Sequence, residues 1–220
     1  MKIKVLYEDK DILAIDKPIG ILVHEDGRSK EKTILDLMQK KYPKVEVVHR
    51  LDKETSGVLL LAKNKKAHEF LKEQFQDRLI KKVYHAVVCG YMKNDRGFIK
   101  KAIGRSPNDF RKWLAGRGAR GELREAETFY RVLKPLNIAS HKFSYLEVRP
   151  KTGRTHQIRV HMKYLNHPVV GDMLYNEDGL KIKGVKRMML HAHTIEFKNL
   201  KGEMVKVESA LPLPFKKLLK

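Results

Sequence analysis

The sequence of 220 residues predicts an α+β fold, in which strands and helices share one core. Short apolar runs, such as residues 58–62 and 86–89, have the length of strands that a core buries. Apolar residues recur at helical spacing over residues 67–75, with lysines largely on the other face, which predicts an amphipathic helix. Hydrophobic residues make up 42% of the chain, which suits one globular domain over residues 1–220.

The first elements are two strands, predicted at residues 3–7 and 11–15 around a polar turn. Thr33 is placed to cap a helix that starts at Ile34. Asn64 is placed in the same way before the amphipathic helix.

The later elements are mainly strands. Alternating side chains predict one at residues 82–90, a second at 140–148 and a third at 190–197. A Thr-Gly turn at 152–153 leads into a helix that would place His156, Arg159 and Lys163 on one face.

The charge of the chain points to a polyanionic partner. Lysine and arginine number 47 against 26 acidic residues, so the net charge is +21 and the pI about 9.9. RNA, DNA and anionic membranes would all be attracted by such a field, and a pI of this size is typical of nucleic-acid-binding proteins.

The sequence shows neither a signal peptide nor an apolar stretch long enough for a membrane helix. The single cysteine, Cys89, cannot form an intrachain disulfide, which suits a reducing compartment. We therefore expect a cytoplasmic protein with no membrane partner.

The segment from His49 to Gly57 is the strongest candidate for a functional site. Asp52 stands two residues after Arg50, and Thr55-Ser56-Gly57 reads as a turn before the buried run at 58–62. A carboxylate on a loop held by a core strand is well placed for chemistry. A surface ion pair of Asp52 with Arg50 or Lys53 is the alternative.

Residues 105–131 are the least regular part of the sequence. Seven basic side chains surround Phe110 and Trp113, and residues 116–121 read as a flexible basic loop. Arginine for phosphates and aromatic rings for stacking predict contact with single-stranded RNA, whereas the alternative is a solvated hairpin tip.

Several segments together resemble the RluA-type pseudouridine synthases. The segment His-Arg-Leu-Asp-x-x-Thr-Ser-Gly at 49–57 is similar to the signature of that family. Asp-Lys-Pro-Ile-Gly at 16–20 and Lys-x-Tyr-x-Ala-x-Val-x-Gly at 82–90 match two further motifs. Thr-Gly-Arg-Thr-His-Gln-Ile-Arg-Val-His at 152–161 matches another, and the likeness extends to Phe215.

The resemblance implies a bent, mixed, mostly antiparallel sheet with flanking helices and a central RNA-binding cleft. It also implies a stand-alone catalytic domain, without the small S4-type RNA-binding domain that such enzymes often carry. The reaction would convert uridine in ribosomal or transfer RNA to pseudouridine. Because this isomerisation involves neither redox change nor energy input, no cofactor or nucleotide is expected. From the sequence itself, a monomer is expected because no long apolar stripe is left unassigned.

The resemblance also assigns roles to residues. Asp52 would be the catalytic carboxylate, Tyr84 would stack on the target base, and Arg159 would pair with Asp52. Arg50 is the candidate to hold the flipped nucleotide. Further candidates for binding the substrate are His49, Arg154, His156 and Gln157.

The residues leave some alternatives open. Asp52 could attack the ribose covalently or remove a proton from it. A noncatalytic RNA-binding or ribosome-assembly protein and a glycosidase that releases uracil are two other classes. The ten histidines include His191 and His193, which could form half of a metal site, but a metal is not expected because no cysteine or carboxylate adjoins them in sequence.

Overall fold

The computed structural model describes residues 3–25, 27, 31–177, 182–183 and 185–220. Its strands are β1 Lys4–Glu8, β2 Ile12–Lys17, β3 Glu46–Val47, β4 Ser56–Ala62, β5 Lys81–Cys89, β6 Arg96–Lys100, β7 Ile103–Arg105, β8 Trp113–Ala115, β9 Arg120–Arg124, β10 Glu127–Ile138, β11 His141–Pro150, β12 Leu190–Lys198 and β13 Met204–Glu208. Its helices are α1 Ile34–Gln39, α2 Lys65–Gln76, α3 Gln157–Tyr164 and α4 Leu213–Leu219. The predicted α+β class is confirmed.

The chain forms two compact units, and the single domain over residues 1–220 stays a prediction. The first unit comprises Met1–Lys82 and His191–Ala210, and the second comprises Val83–Leu190 and Leu211–Lys220. Neither unit is continuous in sequence, so no change in composition along the chain marks the division.

The first unit is built on β4, whose seven residues are all buried. Strand β4 pairs antiparallel with β2 and β3 and parallel with β12, while β1 and β13 extend the sheet antiparallel on β2 and β12. Helix α2 contributes Ala67 and Leu71 to the same core, which also contains Leu60 and Phe197. Because β4 is buried on both faces, the run at 58–62 is apolar throughout and does not alternate with polar residues.

Two helices of the first unit begin where the sequence predicts. The Thr33 side chain accepts a hydrogen bond from the Asp36 amide, and the Asp36 carboxylate accepts one from the Thr33 amide. Asn64 caps α2 by accepting from the Ala67 amide at 3.0 Å. Both caps satisfy amides that the first turn of a helix leaves without partners.

The predicted turn at Thr55-Ser56-Gly57 is wrong in its position. The turn is closed earlier, by a 3.0 Å bond from the Thr55 amide to the Asp52 carbonyl, and Ser56 and Gly57 already belong to β4. Gly57 has φ of +115°, and a Cβ there would lie 2.0 Å from the Ala192 carbonyl oxygen. Glycine is therefore required so that β12 can approach β4, which the local sequence does not reveal.

The second unit contains an antiparallel sheet in the order β5-β11-β10-β6. Helix α3 packs Ile158 and Met162 against one face of it, onto a core that includes Ala86, Leu146 and Val148. Together with the first unit, this makes the strands mixed and mostly antiparallel, as the sequence analysis predicts.

The region that the sequence predicts to be least regular contains a second, small sheet. Strand β7 pairs antiparallel with both β8 and β9, and the predicted flexible loop is reduced to the β8–β9 connection and the start of β9. These strands are ordered by pairing between segments that are apart in sequence. The sequence does not predict them because strands of three to five residues carry too weak an apolar pattern.

No helix in the described part of the chain is long and apolar enough to cross a membrane.

Candidate active site

Asp52 lies on the loop between β3 and β4, and the loop is anchored on both sides. Leu51 is buried in front of it, and Thr55 is buried behind it. The Asp52 side chain itself is half-buried. The carboxylate is thus presented by a short turn whose flanking side chains are fixed in the interior.

The side chain of Lys17 is hydrogen-bonded to the backbone of the same loop. Its side chain is fully buried at the end of β2, and its ammonium donates to the carbonyls of Pro18 at 2.9 Å, Lys53 at 3.0 Å and Thr55 at 2.8 Å. The three N–H groups of the ammonium thus each have a carbonyl acceptor, and these hydrogen bonds offset the free-energy cost of removing the Lys17 charge from water. These bonds fix the backbone immediately after Asp52.

His49 fastens the beginning of the loop to the sheet. Its Nε2 accepts a hydrogen bond from the Leu60 amide at 2.9 Å, and its ring lies 4.7 Å from that of Phe75. Burial, with a smaller contribution from the charge of Lys82, lowers the pKa of His49 to about 3. The imidazole is neutral at physiological pH, as its acceptor role requires, and binding to RNA stays a prediction for this residue.

Lys82 is a group to which the sequence analysis gives no role. It begins the Lys-x-Tyr motif on β5, and burial lowers the pKa of its ammonium to about 8. The apolar pattern of the strand does not reveal this shift, because it depends on how much surrounding structure covers the nitrogen.

Tyr84 lies in the second unit, on the α3 face of its sheet. It stands opposite Val148 in the β5–β11 register and is half-buried against the core formed with α3. Its strand therefore fixes the position of the residue in the sheet and the face from which its ring projects.

Arg159 is buried and is held by a carboxylate that the sequence analysis does not assign. Its Nε donates to Asp172 Oδ2 at 2.7 Å and its Nη2 to Asp172 Oδ1 at 2.9 Å, while the guanidinium carbon lies 5.0 Å from the centre of the Tyr175 ring. Such a forked pair fixes the plane of the guanidinium. The pairing of Arg159 with Asp52 would join the two units and stays a prediction.

Asp172 is itself fixed by its own loop. Its Oδ1 also accepts from the amides of Leu174 at 3.0 Å and Tyr175 at 3.1 Å. The residue follows Gly171, in a segment that shares the family likeness, and this is the only signal in the sequence that could have pointed to it.

His156 does not lie on the helical face predicted for it. It precedes α3 as the N-cap residue in a left-handed conformation, with φ of +55°. Its Nδ1 lies 2.9 Å from the Tyr175 hydroxyl, which also accepts from the Trp113 amide at 2.9 Å. His156 and Arg159 thus meet at Tyr175 through the tertiary fold and not through helical spacing.

Gln157 and Arg154 hold together the turn that leads into α3. The Gln157 carbonyl accepts from the Thr152 hydroxyl at 2.7 Å and the Arg154 amide at 3.0 Å. Its amide donates to the Glu127 carbonyl at 2.9 Å and the Thr128 hydroxyl at 3.0 Å. Because these four bonds use the whole amide group, contact of Gln157 with RNA would require some of them to break.

The remaining predicted residues are more accessible. Arg50 is exposed, and Arg154 is half-buried, with its Nε donating to the Glu125 carbonyl at 3.0 Å. In the small sheet, the Arg105 guanidinium lies 4.1 Å from the centre of the Trp113 ring, and Phe110 is exposed. This arrangement leaves basic and aromatic groups at the surface of the second unit.

The two histidines considered for a metal site both bond to Ser209. His191 Nε2 and His193 Nδ1 lie 3.2 Å and 2.8 Å from its carbonyl oxygen, and His191 Nδ1 lies 2.8 Å from the Ser56 hydroxyl. Within the described residues, no cluster of three or more His, Cys, Asp or Glu side chains could hold a metal ion.

Comparison with known proteins places the chain within one family. The family described as RNA pseudouridylate synthase matches residues 11–164. The chain is 37% identical to a ribosomal large subunit pseudouridine synthase D of Borreliella burgdorferi, over 97% of this chain and 66% of that protein. It is also 37% identical to a dual-specificity RNA pseudouridine synthase RluA of Vibrio vulnificus, over 92% of this chain and 80% of that protein.

Solved structures agree with the sequence matches. The human RNA pseudouridylate synthase domain containing 1 superposes with a TM-score of 0.83 at 31% identity, over 97% of this chain and 86% of that one. The chain spans about two thirds of the length of several of the curated relatives that it matches.

Proposed function

The chain belongs to the RNA pseudouridylate synthase family, and we propose that it isomerises uridine in ribosomal or transfer RNA to pseudouridine, with Asp52 as the catalytic carboxylate. The observation that carries the assignment of Asp52 is the anchoring of its loop. A half-buried carboxylate stands on a turn whose next carbonyls are held by the buried Lys17 ammonium. Such preorganisation is what a group needs if it is to act on one atom of a substrate.

The reaction is an isomerisation and balances within the nucleotide. The bond from ribose C1′ to base N1 breaks, the uracil turns, and C1′ bonds to C5, whose proton leaves while N1 gains one. Asp52 would assist by attacking the ribose or by removing a proton from it. Tyr84 would stack on the uracil, and the positive charge of Arg159 would favour the ionised carboxylate.

The target base has to leave its stack before it can reach a carboxylate on a loop. The exposed Arg50, two residues before Asp52, is our candidate to hold the displaced nucleotide. One relative is named for the ribosomal large subunit and another for dual specificity. Ribosomal and transfer RNA are both compatible with the chain's net charge of +21. We propose that the protein acts as a cytoplasmic monomer.

The test is tritium release from total RNA labelled at C5 of uridine, because each isomerisation frees one C5 hydrogen. Wild type is expected to release tritium and Asp52→Asn to release none above background. Glu54→Gln is the matched control, since it removes an exposed carboxylate from the same loop and should retain release.

Other outcomes separate the alternatives. Equal release by Asp52→Asn and wild type would show that catalysis lies elsewhere. Free uracil among the products would identify a glycosidase, and binding of RNA without release from either ribosomal or transfer RNA would favour a noncatalytic protein.

A further inference from the structure

The second unit carries an accessible sheet surface on the side opposite α3. Along β6, β10 and β11 the side chains alternate, and one set, which includes Ile99, Tyr130 and Val148, enters the core with α3. The other set faces away from it. We call this set the outer face, and it consists of Arg96, Phe98, Lys100, Glu127, Phe129, Arg131, Glu147 and Arg149.

Two phenylalanines occupy opposite positions on the outer face. Phe98 on β6 lies directly opposite Phe129 on β10 in the strand register. The Cβ atoms of such cross-strand neighbours are about 5 Å apart. Phe98 is 56% exposed and Phe129 is half-buried. A large exposed ring on β6, which forms one end of this sheet, is a liability for aggregation, so its presence calls for a function.

The position of Phe98 is fixed by its neighbour in the chain. A Cβ at Gly97 would lie 2.5 Å from the Tyr130 ring, which occupies the inner side of the strand at this point. A shift of β6 by one residue would force Phe98 into that space. The ring is therefore held outward by the packing beneath it.

Cations cover the carboxylates of this surface. Glu147 is paired with Arg131 at 3.3 Å and with Arg149 at 3.0 Å, and its side chain is 12% exposed, whereas those of the two arginines are 53% and 54% exposed. Glu127 is covered in the same way, by Lys100 at 3.6 Å and by Lys151 at 3.1 Å. The surface that a ligand would meet is positive around the two rings.

We propose that the outer face binds a single-stranded stretch of the substrate RNA, with bases stacked on Phe98 and Phe129 and phosphates against Arg131 and Arg149. Aromatic rings among arginines on an open sheet are the combination that holds unpaired bases without reading their sequence. The inference rests on the proposed function only in taking RNA as the substrate.

The outer face is distinct from the predicted base-binding side of the sheet. Tyr84 points towards α3, and its strand β5 is three strand spacings, or about 14 Å, from β6. An RNA whose target uridine lies at Tyr84 would have to pass around the β6 edge to reach Phe98. Nucleotides that flank the target, and not the target itself, would therefore occupy the outer face.

The binding of RNA to the outer face can be tested by fluorescence anisotropy with labelled oligouridylates of about 6 and about 20 nucleotides. The longer RNA exceeds the about 4–16 nucleotides that one OB-fold module covers, so it can extend beyond a single binding site. Phe98→Ala is expected to bind the longer RNA about 10-fold more weakly than wild type, because one stacked base is lost. Binding of the shorter RNA, which is expected to occupy the proposed active site alone, is expected to be unchanged. Met204→Ala removes a similarly exposed apolar side chain, 57% exposed, from β13 of the first unit and serves as the matched control.

A second variant tests the charges independently. Arg149→Gln is expected to lower the salt slope of binding to the longer RNA by about 0.7, the value of one phosphate contact on single-stranded nucleic acid. An unchanged affinity of Phe98→Ala for both RNAs would overturn the proposal, and so would an equal loss for both. Loss of self-association in sedimentation, with RNA affinity unchanged, would overturn it in favour of a protein partner.

These binding measurements need no turnover. Failure of the proposed function would appear as absent tritium release by the wild type, whatever the affinities. Failure of the present inference would leave wild-type release intact and make Phe98→Ala bind like Met204→Ala.

Discussion

Replacement of Asp172 by asparagine tests whether the buried carboxylate positions Arg159 for catalysis. The change keeps the shape of the side chain but removes its charge and turns one acceptor into a donor facing the guanidinium. Of the two charge-assisted bonds, of 2.7 Å and 2.9 Å, the one that meets the amide nitrogen is lost because a guanidinium cannot accept, and the other loses the charge of its acceptor. The Asp172 side chain is 0% exposed and that of Arg159 is 9% exposed, so water can replace little of what is removed.

The expected cost follows from the burial of the pair. Breaking a buried ion pair from one side destabilises a protein by about 3–5 kcal/mol, since the remaining charge has no equivalent partner. For a chain of this length, each kcal/mol lowers the melting temperature by about 2–4 °C, so the Asp172→Asn midpoint should fall by about 10 °C. A chain whose total stability lies near the middle of the usual range of about 5–15 kcal/mol stays almost entirely folded at 25 °C after this loss.

Activity is measured at a temperature where the variant remains folded. We expect its kcat for tritium release to fall about 100-fold, the effect of a displacement of about 1 Å in a catalytic group, with KM changed by less than about threefold. Urea unfolding gives the stability in parallel. Asp172→Glu, which keeps the charge, should recover part of kcat if the carboxylate acts by positioning Arg159.

Glu122→Gln provides the matched control. Glu122 accepts two bonds from Arg124 on β9, at 3.2 Å and 2.8 Å, but both side chains are exposed, at 73% and 53%. An exposed pair contributes about 0–1 kcal/mol, so this variant should retain stability and activity. If Asp172→Asn behaves like Glu122→Gln in both assays, the positioning role of Asp172 is refuted.

Three further predictions concern the loop of Asp52 and the RNA. Lys17→Met leaves three carbonyls without their donor and should lower the free energy of unfolding by about 3 kcal/mol in urea titrations, with loss of tritium release, while the exposed Lys4→Met should change neither. Because the pKa of His49 is about 3 in the folded chain and 6.5 unfolded, the unfolded chain binds the proton first, and stability should fall by up to about 1.4 kcal/mol per pH unit between pH 6.5 and 3. His49→Gln, which does not titrate, should show a shallower slope in that window, and an equal slope would contradict the assignment. If about five phosphates are neutralised, RNA affinity should fall about 100-fold from about 50 to 200 mM salt, whereas a flat response would contradict RNA binding.

The sequence by itself determined the features that depend on neighbouring residues. Thr33 and Asn64 begin their helices because a cap needs only a side-chain acceptor within three residues of the amide it serves. The run at 58–62 forms a strand because its side chains are apolar on both faces. The family could also be predicted from the sequence, because its motifs are short segments of neighbouring residues. The match of the family model over residues 11–164 confirms that prediction.

Tertiary structure decided which distant groups meet. Lys17 looks like the end of a strand, but its ammonium reaches carbonyls 36 and 38 residues further along the chain. Arg159 is predicted on a helix face with His156 and Lys163, and only the structure shows that it is buried against Asp172. Gly57 is predicted as a turn residue, but it is needed for the approach of β12. In each case the outcome depends on which surfaces are removed from water together and on how closely two backbones approach. Those quantities arise only when segments far apart in sequence are packed into one core.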